Sequence, residues 1–328
     1  MRRSVRCGLV AGVVLGAGLT AVPSASAVMA KGDPGACDRT YANSRLAKGS
    51  DLKAEPTAMS AREQRSYEKT LNRRLHKMGY TNKAAAARGG GGNNNIQIDV
   101  FVNVLRKNNG DGNVSDKQIR RQINVMNRAF AGRTDEDAAS TRFRFRVKDT
   151  DRTKKTDWYD WGIQDDDKVA KKALHRGTFE DLNVYIASLS GGLLGYAFFP
   201  GLPKRKMYRD GLVILNESMP GGSAQPYDKG DTATHEIGHW LGLYHAFQNG
   251  CGNLSDRVED TPRQEAGSNV FECDESLNTC APAVPPPNPK TDPVHNFMNY
   301  TDDKCINQFT RGQDDRMRLS WLAYRKGR

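Results

Sequence analysis

His235-Glu236-Ile237-Gly238-His239-Trp240-Leu241-Gly242-Leu243-Tyr244-His245 is the stretch that decides the fold. On a helix, His235 and His239 stand one turn apart and project together, so two imidazoles reach one metal ion. Glu236 is close enough to contact a metal-bound water without being a ligand. A continued helix would carry His245 away from the ion. Gly242 is expected to end it in a conformation costly for other residues, so that the chain turns and His245 closes the site. Three neutral imidazoles leave the fourth tetrahedral position for water, the arrangement of a catalytic zinc rather than a structural one. Five fixed positions in one register occur by chance in roughly one in ten thousand chains of this size. Elsewhere His76 and His175 lie in polar helical context and read as surface residues, and His295 reads as structural.

Outward from this helix, strands and helices alternate. Residues 96–104 alternate in polarity as a strand, and Ser115-Asp116 starts a helix carrying Ile119, Ile123, Met126 and Phe130 on one face. Residues 142–147 alternate strictly, 169–175 read as a second helix, and 182–187 as a buried strand. An edge strand over 193–199 and a further strand over 211–216 precede the histidine helix, expected over 231–246. That order is α/β (α+β), a mixed twisted sheet packed on helices. Beyond Phe247 regularity fades into Gly, Pro, Asp and Cys until about residue 309. A terminal helix is expected near Thr310, carrying Met317, Leu319 and Trp321. Cys251, Cys273, Cys280 and Cys305 cluster in the irregular part with spacings of 22, 7 and 25. No close ligand pair is present, so two disulfides, in any of three connectivities, are favoured over a structural zinc.

The N-terminal third has a different character. A basic start, an apolar Gly-rich run over 7–22 and a small-x-small ending at Ala27 read as a signal peptide spanning 1–27. The apolar run is short for a bilayer span. Residues 28–88 are polar and read as a small helical segment, with a capping box at Ser60-Ala61-Arg62-Glu63 ahead of Tyr67, Leu71, Leu75 and Met78. Four Ala, Arg88, four Gly and three Asn then make a break with no core-forming residues. This is a linker and a natural proteolysis site. The expected organisation is therefore signal 1–27, prosegment and linker 28–94, and catalytic domain 95–328. The net charge of +11 sits almost wholly before residue 95; beyond it the balance is +1. No basic stripe argues for nucleic acid, and Lys204-Arg205-Lys206 reads as a solvated loop. No membrane partner is expected once the signal is removed, and a monomer is expected.

The histidine stretch resembles the metzincin clan at each of the five positions of its extended signature. Asn296-Phe297-Met298-Asn299-Tyr300 is similar to the clan's methionine turn beneath the metal, with Met298 as the turn residue. Asp260-Thr261-Pro262, Cys305 and Phe309-Thr310-Arg311-Gly312-Gln313 with Arg316-Met317 resemble the pappalysin family, particularly its compact bacterial and fungal members. The resemblance covers residues 95–328. It implies a sheet and active-site helix above a cleft, a disulfide-stapled half below, and the pairs Cys251–Cys280 and Cys273–Cys305. It also implies a prosegment, and it supports calcium in addition to zinc. Asp256, Glu259, Asp260, Asp274 and Glu275 are loop-borne oxygen donors of the kind calcium takes.

The expected chemistry is hydrolysis of protein or peptide substrates by a secreted zinc-dependent endopeptidase, with Glu236 as general base. Tyr300, by resemblance, donates to the tetrahedral oxyanion. The edge strand over 193–199 would pair with an extended substrate. Asp302 and Asp303 follow the methionine turn, where clan members line the pocket for the residue after the cleaved bond; a carboxylate there favours Arg or Lys. Cys37 offers a thiolate that would take the fourth zinc position and silence the proenzyme until cleavage near Arg88. An incidental thiol or an intermolecular disulfide is the other reading of Cys37. The alternative function is a non-catalytic zinc-binding interaction module with the same fold.

Overall fold

Ile98, Val100, Val102 and Val104, spaced two apart, put four buried side chains on one face of strand β2 (Ile96–Arg106). The computed structural model describes residues 42–50, 59–80, 95–162, 166–281 and 291–328. In it β2 lies parallel to β3 (Phe143–Lys154) and β4 (Leu182–Ala187). Strand β6 (Leu212–Leu215) continues the parallel set beside β4, and β5 (Leu193–Phe198) turns back antiparallel to β6. The outermost strand, antiparallel to β5, is β1 (Ala42–Leu46), so the sheet order is β1-β5-β6-β4-β2-β3.

Strands β4 and β6 bury both faces, as central parallel strands do. Val184, Ile186, Leu212 and Ile214 face one core with Ile119, Met126 and Phe130 of helix α2 (Asp116–Phe130). Tyr185, Ala187 and Val213 face a second core that also contains Phe247, Phe271 and Tyr300. The site is therefore built where the two cores meet at the β1–β5 side of the sheet. Ser115 caps α2 through a reciprocal Ser–Gln118 box, and Thr310 does the same with Gln313 for the terminal helix α6 (Arg311–Tyr324). Between them run short α3 (Thr156–Tyr159), α4 (Asp166–Leu174) and the histidine helix α5 (Asp231–Trp240). Helix α5 is six residues shorter than its apolar pattern predicts: the chain leaves it at Leu241, ahead of Gly242.

Between α5 and α6 the described residues are irregular apart from turns and a 3-10 helix at Ser268–Phe271, and disulfides join Cys251 to Cys280 and Cys273 to Cys305. Cross-links over 29 and 32 residues each contribute about 3–4 kcal/mol by restricting the unfolded chain, on the chain-entropy account.

The segment upstream of the linker differs most from expectation. Ser60 caps helix α1 (Ala61–Lys77) through its box with Glu63, but Ala42–Leu46, expected to be helical, is a strand. Nothing in Ala-Asn-Ser-Arg-Leu alternates in polarity; its strand state comes from backbone pairing with β5. Described residues on the two sides of the boundary at residue 94 pack together. The described residues fall in one compact unit, and Leu71 and Leu75 of α1 are buried against Leu319, Leu322 and Tyr324 of α6. The linker expected over 84–95, with Arg88, lies outside the described residues except for Asn95, as do the signal segment and Cys37. Two smaller differences concern charge. Lys206 is tucked into a 3-10 turn while Lys204 and Arg205 stay exposed. His175 is half-buried, and burial lowers its pKa.

Candidate active site

All ten residues of α5 are buried, which explains why the helix has no polar face. The end of α5 is held by a buried network: Trp240 Nε1 donates to Asp210 at 2.9 Å, and Arg325 donates to Asp210 at 2.8 Å and to the Trp240 carbonyl at 2.6 Å. Two glycines let the neighbouring parts close in. A Cβ on Gly238 would stand 2.3 Å from Met298 Sδ, so only glycine allows the methionine turn to lie against the helix. Gly242 adopts φ +95°, the left-handed conformation that turns the chain back toward the site.

His235 Nδ1 lies 2.7 Å from the Phe297 carbonyl and His239 Nδ1 lies 2.8 Å from the Leu243 carbonyl. Carbonyls only accept, so both Nδ1 atoms carry the proton and both Nε2 atoms present lone pairs. The Nε2 atoms of His235 and His245 each lie 3.0 Å from that of His239. Electron-rich nitrogens so close together, without a proton to share between His235 and His239, call for a cation at their centre. Neutral imidazole is the ligand form. Burial supplies it by pushing His235 and His245 well below the usual histidine range and His239 down to about 3. The residues present therefore fit a zinc ion. Among the described residues, the other close ligand-type groups contain Cys273 with Cys305 and Cys251 with Cys280, whose sulfurs are spent in disulfides.

Strand β1 crosses this centre with Ser44 opposite Tyr196 and Arg45 opposite Gly195. The Ser44 carbonyl oxygen lies 3.0 Å from His245 Nε2 and accepts from the Tyr300 hydroxyl at 2.7 Å. On the other side of the same peptide bond, Arg45 N–H donates to Glu236 Oε1 at 2.8 Å. Glu236 and Tyr300 thus flank the Ser44–Arg45 bond, one at its nitrogen and one at its oxygen. The contact of β1 to His245 is made by this carbonyl.

The Arg45 side chain fills a closed pocket. Its guanidinium pairs with Asp303 Oδ1 at 2.7 Å, both side chains fully buried, donates to the Thr301 carbonyl at 2.8 Å, and lies 5.3 Å above the Tyr227 ring. Asp303 Oδ2 accepts from the backbone of Lys229, Gly230 and Asp231 at 2.8, 3.2 and 3.4 Å, tying the pocket to the start of α5. Asp302 is elsewhere: its carboxylate accepts from Lys304 and Cys305 N–H in its own loop. The two aspartates that the sequence placed together in the pocket therefore divide, and Asp303 alone meets the cation.

Asp231 was not anticipated. Burial, then the neighbouring Asp303 carboxylate, push its carboxyl up to about 8, while Arg45 pulls it down. A raised acid favours the protonated fold, so its contribution to stability is complete below about pH 4 and lost as pH rises through about 8. Asp231→Asn is expected to gain Tm relative to the unsubstituted chain between pH 5 and pH 8; a Tm difference constant across that window would exclude the raised value. Three of the five carboxylates considered for calcium serve separate local roles. Asp260 accepts from Thr310 and Gly312 at the start of α6, Asp274 from Ser276, and Glu275 faces His295 Nε2 at 3.0 Å. His295 Nδ1 in turn meets the Cys305 carbonyl, a structural role.

A mixed sheet over a histidine helix, a glycine turn to the third imidazole and a methionine turn beneath define a metzincin metallopeptidase. The comparisons place the chain within that class. The model of the pregnancy-associated plasma protein-A family of peptidases matches residues 164–321. Extracellular metalloprotease 1 of Coccidioides posadasii is 39% identical over 239 residues, which are 71% of this chain and 79% of that one. An extracellular metalloprotease of Trichophyton verrucosum is 39% identical over 285 residues, 86% and 96% of the two chains. Among solved structures, mature mirolysin of Tannerella forsythia in complex with a cleaved peptide is 33% identical, with a TM-score of 0.58 over 68% of this chain and 90% of that one. A promirolysin mutant is 29% identical, with a TM-score of 0.60 over 76% and 90%. The chain belongs to the pappalysin family and is a zinc metalloendopeptidase. The family and the imidazole cluster together imply zinc, and the family implies protein or peptide substrates.

Proposed function

We propose that the chain is a secreted endopeptidase that cuts before Arg or Lys and is made with a prosegment strand occupying its own cleft. The observation that carries this is the Ser44–Arg45 bond, which lies in the site as a substrate bond would. Strand β1 adds to the open edge of β5 by backbone pairing, the mode in which sheet edges take extended peptides. His235, His239 and His245 would hold zinc, which when bound would supply Lewis acidity to the scissile carbonyl and to the attacking water. Glu236 takes the proton of that water and passes it to the leaving nitrogen, beside which its carboxylate lies. Tyr300 donates to the carbonyl oxygen as negative charge develops on it. Asp303 selects the cationic side chain after the cleaved bond, as it holds Arg45.

Ser44–Arg45 is itself the first substrate in this reading. Water adds across the bond, hydroxyl to the Ser44 carbonyl carbon and proton to the Arg45 nitrogen, and residues before Arg45 are released. Processing at this bond replaces the linker near Arg88 as the activating cut. Residues 1–27 are the export signal, in keeping with relatives named extracellular metalloproteases. Calcium belongs to the reading through buried Asp256, whose carboxyl burial pushes up to about 7 and which a nearby cation would return to its ionised form.

Digestion of a mixed peptide library by the processed enzyme, with and without a zinc chelator and read by mass spectrometry, tests the proposal. The expected result is chelator-sensitive cleavage before Arg and Lys. Cleavage before other residues would keep the peptidase and remove the role of Asp303. Zinc-loaded, folded enzyme that cuts nothing would remove the catalytic reading altogether.

A further inference from the structure

Helix α1 reaches the metal centre through two side chains. Glu68 Oε1 accepts from Arg316 Nη2 at 2.6 Å, and Arg316 Nε donates to the Gly242 carbonyl at 2.8 Å. The same guanidinium lies over the Tyr244 ring, with Cζ 4.7 Å from its centre, and the Tyr244 hydroxyl donates to Glu68 at 3.4 Å. Gly242 and Tyr244 belong to the turn that carries the chain from His239 to His245. That turn is already close-fitting, because Ser320 Oγ of α6 lies 2.6 Å from where a Cβ on Gly242 would be. The Glu68 and Arg316 side chains are only 11% and 8% exposed. Removing the carboxylate would leave a buried cation short of its partner, the costly half of breaking such a pair. Arg316 would then be drawn away from the Gly242 carbonyl that it now fixes.

We propose that Glu68 is a positioning residue of the metal centre: through Arg316 and the Gly242 carbonyl it fixes the turn that brings His245 to the point shared by His235 and His239. The assignment rests on the reading of the three histidines as zinc ligands. It makes α1 part of the working enzyme rather than of the segment removed on processing. Burial of Leu71 and Leu75 against α6 and the stacking of Tyr67 on Tyr324 at 5.3 Å keep the helix in place. A cut before Arg45 leaves α1 attached to the enzyme.

The test compares the full chain with Glu68→Ala and Glu68→Gln, each stripped of metal and reloaded with zinc. Two quantities are read: the rate of zinc release to a chromogenic chelator, and the Tm with and without zinc. Groups that orient metal ligands typically cost 10–100-fold in metal affinity when removed. Glu68→Ala is therefore expected to release zinc about tenfold faster and to lose part of the Tm increase that zinc gives. Glu68→Gln keeps an acceptor for Arg316 and falls between. An equal fall in Tm with and without zinc, at an unchanged release rate, overturns the assignment, because α1 would then only brace the body. If Glu68→Ala does not fold, Glu68→Gln decides on the same readouts. An unsubstituted chain that takes up no zinc overturns the histidine reading as well, and is seen before any variant is compared. Nicking the folded chain within residues 81–94 gives a second check. The fragment bearing α1 is expected to co-elute with the body on gel filtration. Its loss from a body that holds zinc as before overturns the assignment.

Discussion

Glu236→Gln is expected to retain a full complement of zinc while losing about 10²–10⁴-fold in turnover, the range that a positioned general base supplies. Zinc retention follows from the geometry: His235, His239 and His245 converge through their Nε2 atoms, and two of them are oriented by backbone carbonyls that Glu236 does not touch. Turnover depends on a group able to accept the proton of the attacking water. An amide of the same size cannot do so, yet its oxygen can still accept from Arg45 N–H, so strand β1 remains bound. The full-length variant should therefore stay uncut at Ser44–Arg45, whereas the unsubstituted chain should show a new N-terminus at Arg45. Zinc content by atomic absorption, peptide turnover and N-terminal sequencing separate the possibilities. Zinc-loaded Glu236→Gln within tenfold of the parent rate would assign the base to another residue. Zinc-loaded parent chain without turnover would favour the binding module.

The metal centre was legible because its parts are close in sequence. His235, Glu236 and His239 share one helix, and Gly242 and His245 follow within a single turn, so spacing alone reports geometry. The capping box at Ser60 was legible for the same reason, being a contact between residues three apart, and the helix starts read at Ser115 and Thr310 carry boxes of the same kind. Strand β1 was not, since its pairing partner lies some 150 residues away and its five residues carry no periodicity of their own. The same holds for Glu68 and Arg316, which meet across 248 residues. A composition break at 84–95 marks where a chain can be cut, but it says nothing of how the segment before it packs. Asp302 and Asp303 show the limit at its shortest range. Both are acidic and both follow the methionine turn, and only the direction of the backbone there decides that one caps its own loop and the other enters the pocket.

Asp303 therefore carries the second large prediction. Asp303→Asn is expected to lower kcat/KM for peptides with Arg after the cleaved bond by about 10²–10⁴-fold, because breaking a fully buried ion pair costs about 3–5 kcal/mol. Asparagine isolates the effect better than alanine. Its carbonyl oxygen can still accept from the backbone of Lys229, Gly230 and Asp231, which keeps the start of α5 in place. Its amide then turns donor hydrogens toward the guanidinium, replacing attraction with a donor–donor clash. Without the Asp303 carboxylate that helps hold Asp231 protonated, Asp231 would ionise more readily and offset some of the lost charge, which sets the lower end of the range. The same substitution acts on the unprocessed chain, where Arg45 would be a buried cation without its carboxylate. Hydrogen exchange along 42–46 is expected to quicken there while that of α5 is unchanged. Peptides with a neutral residue after the cleaved bond should lose little, so the ratio of Arg to neutral turnover is the quantity to measure. A ratio unchanged in Asp303→Asn would mean that the pocket occupied by Arg45 is not the one that substrates use.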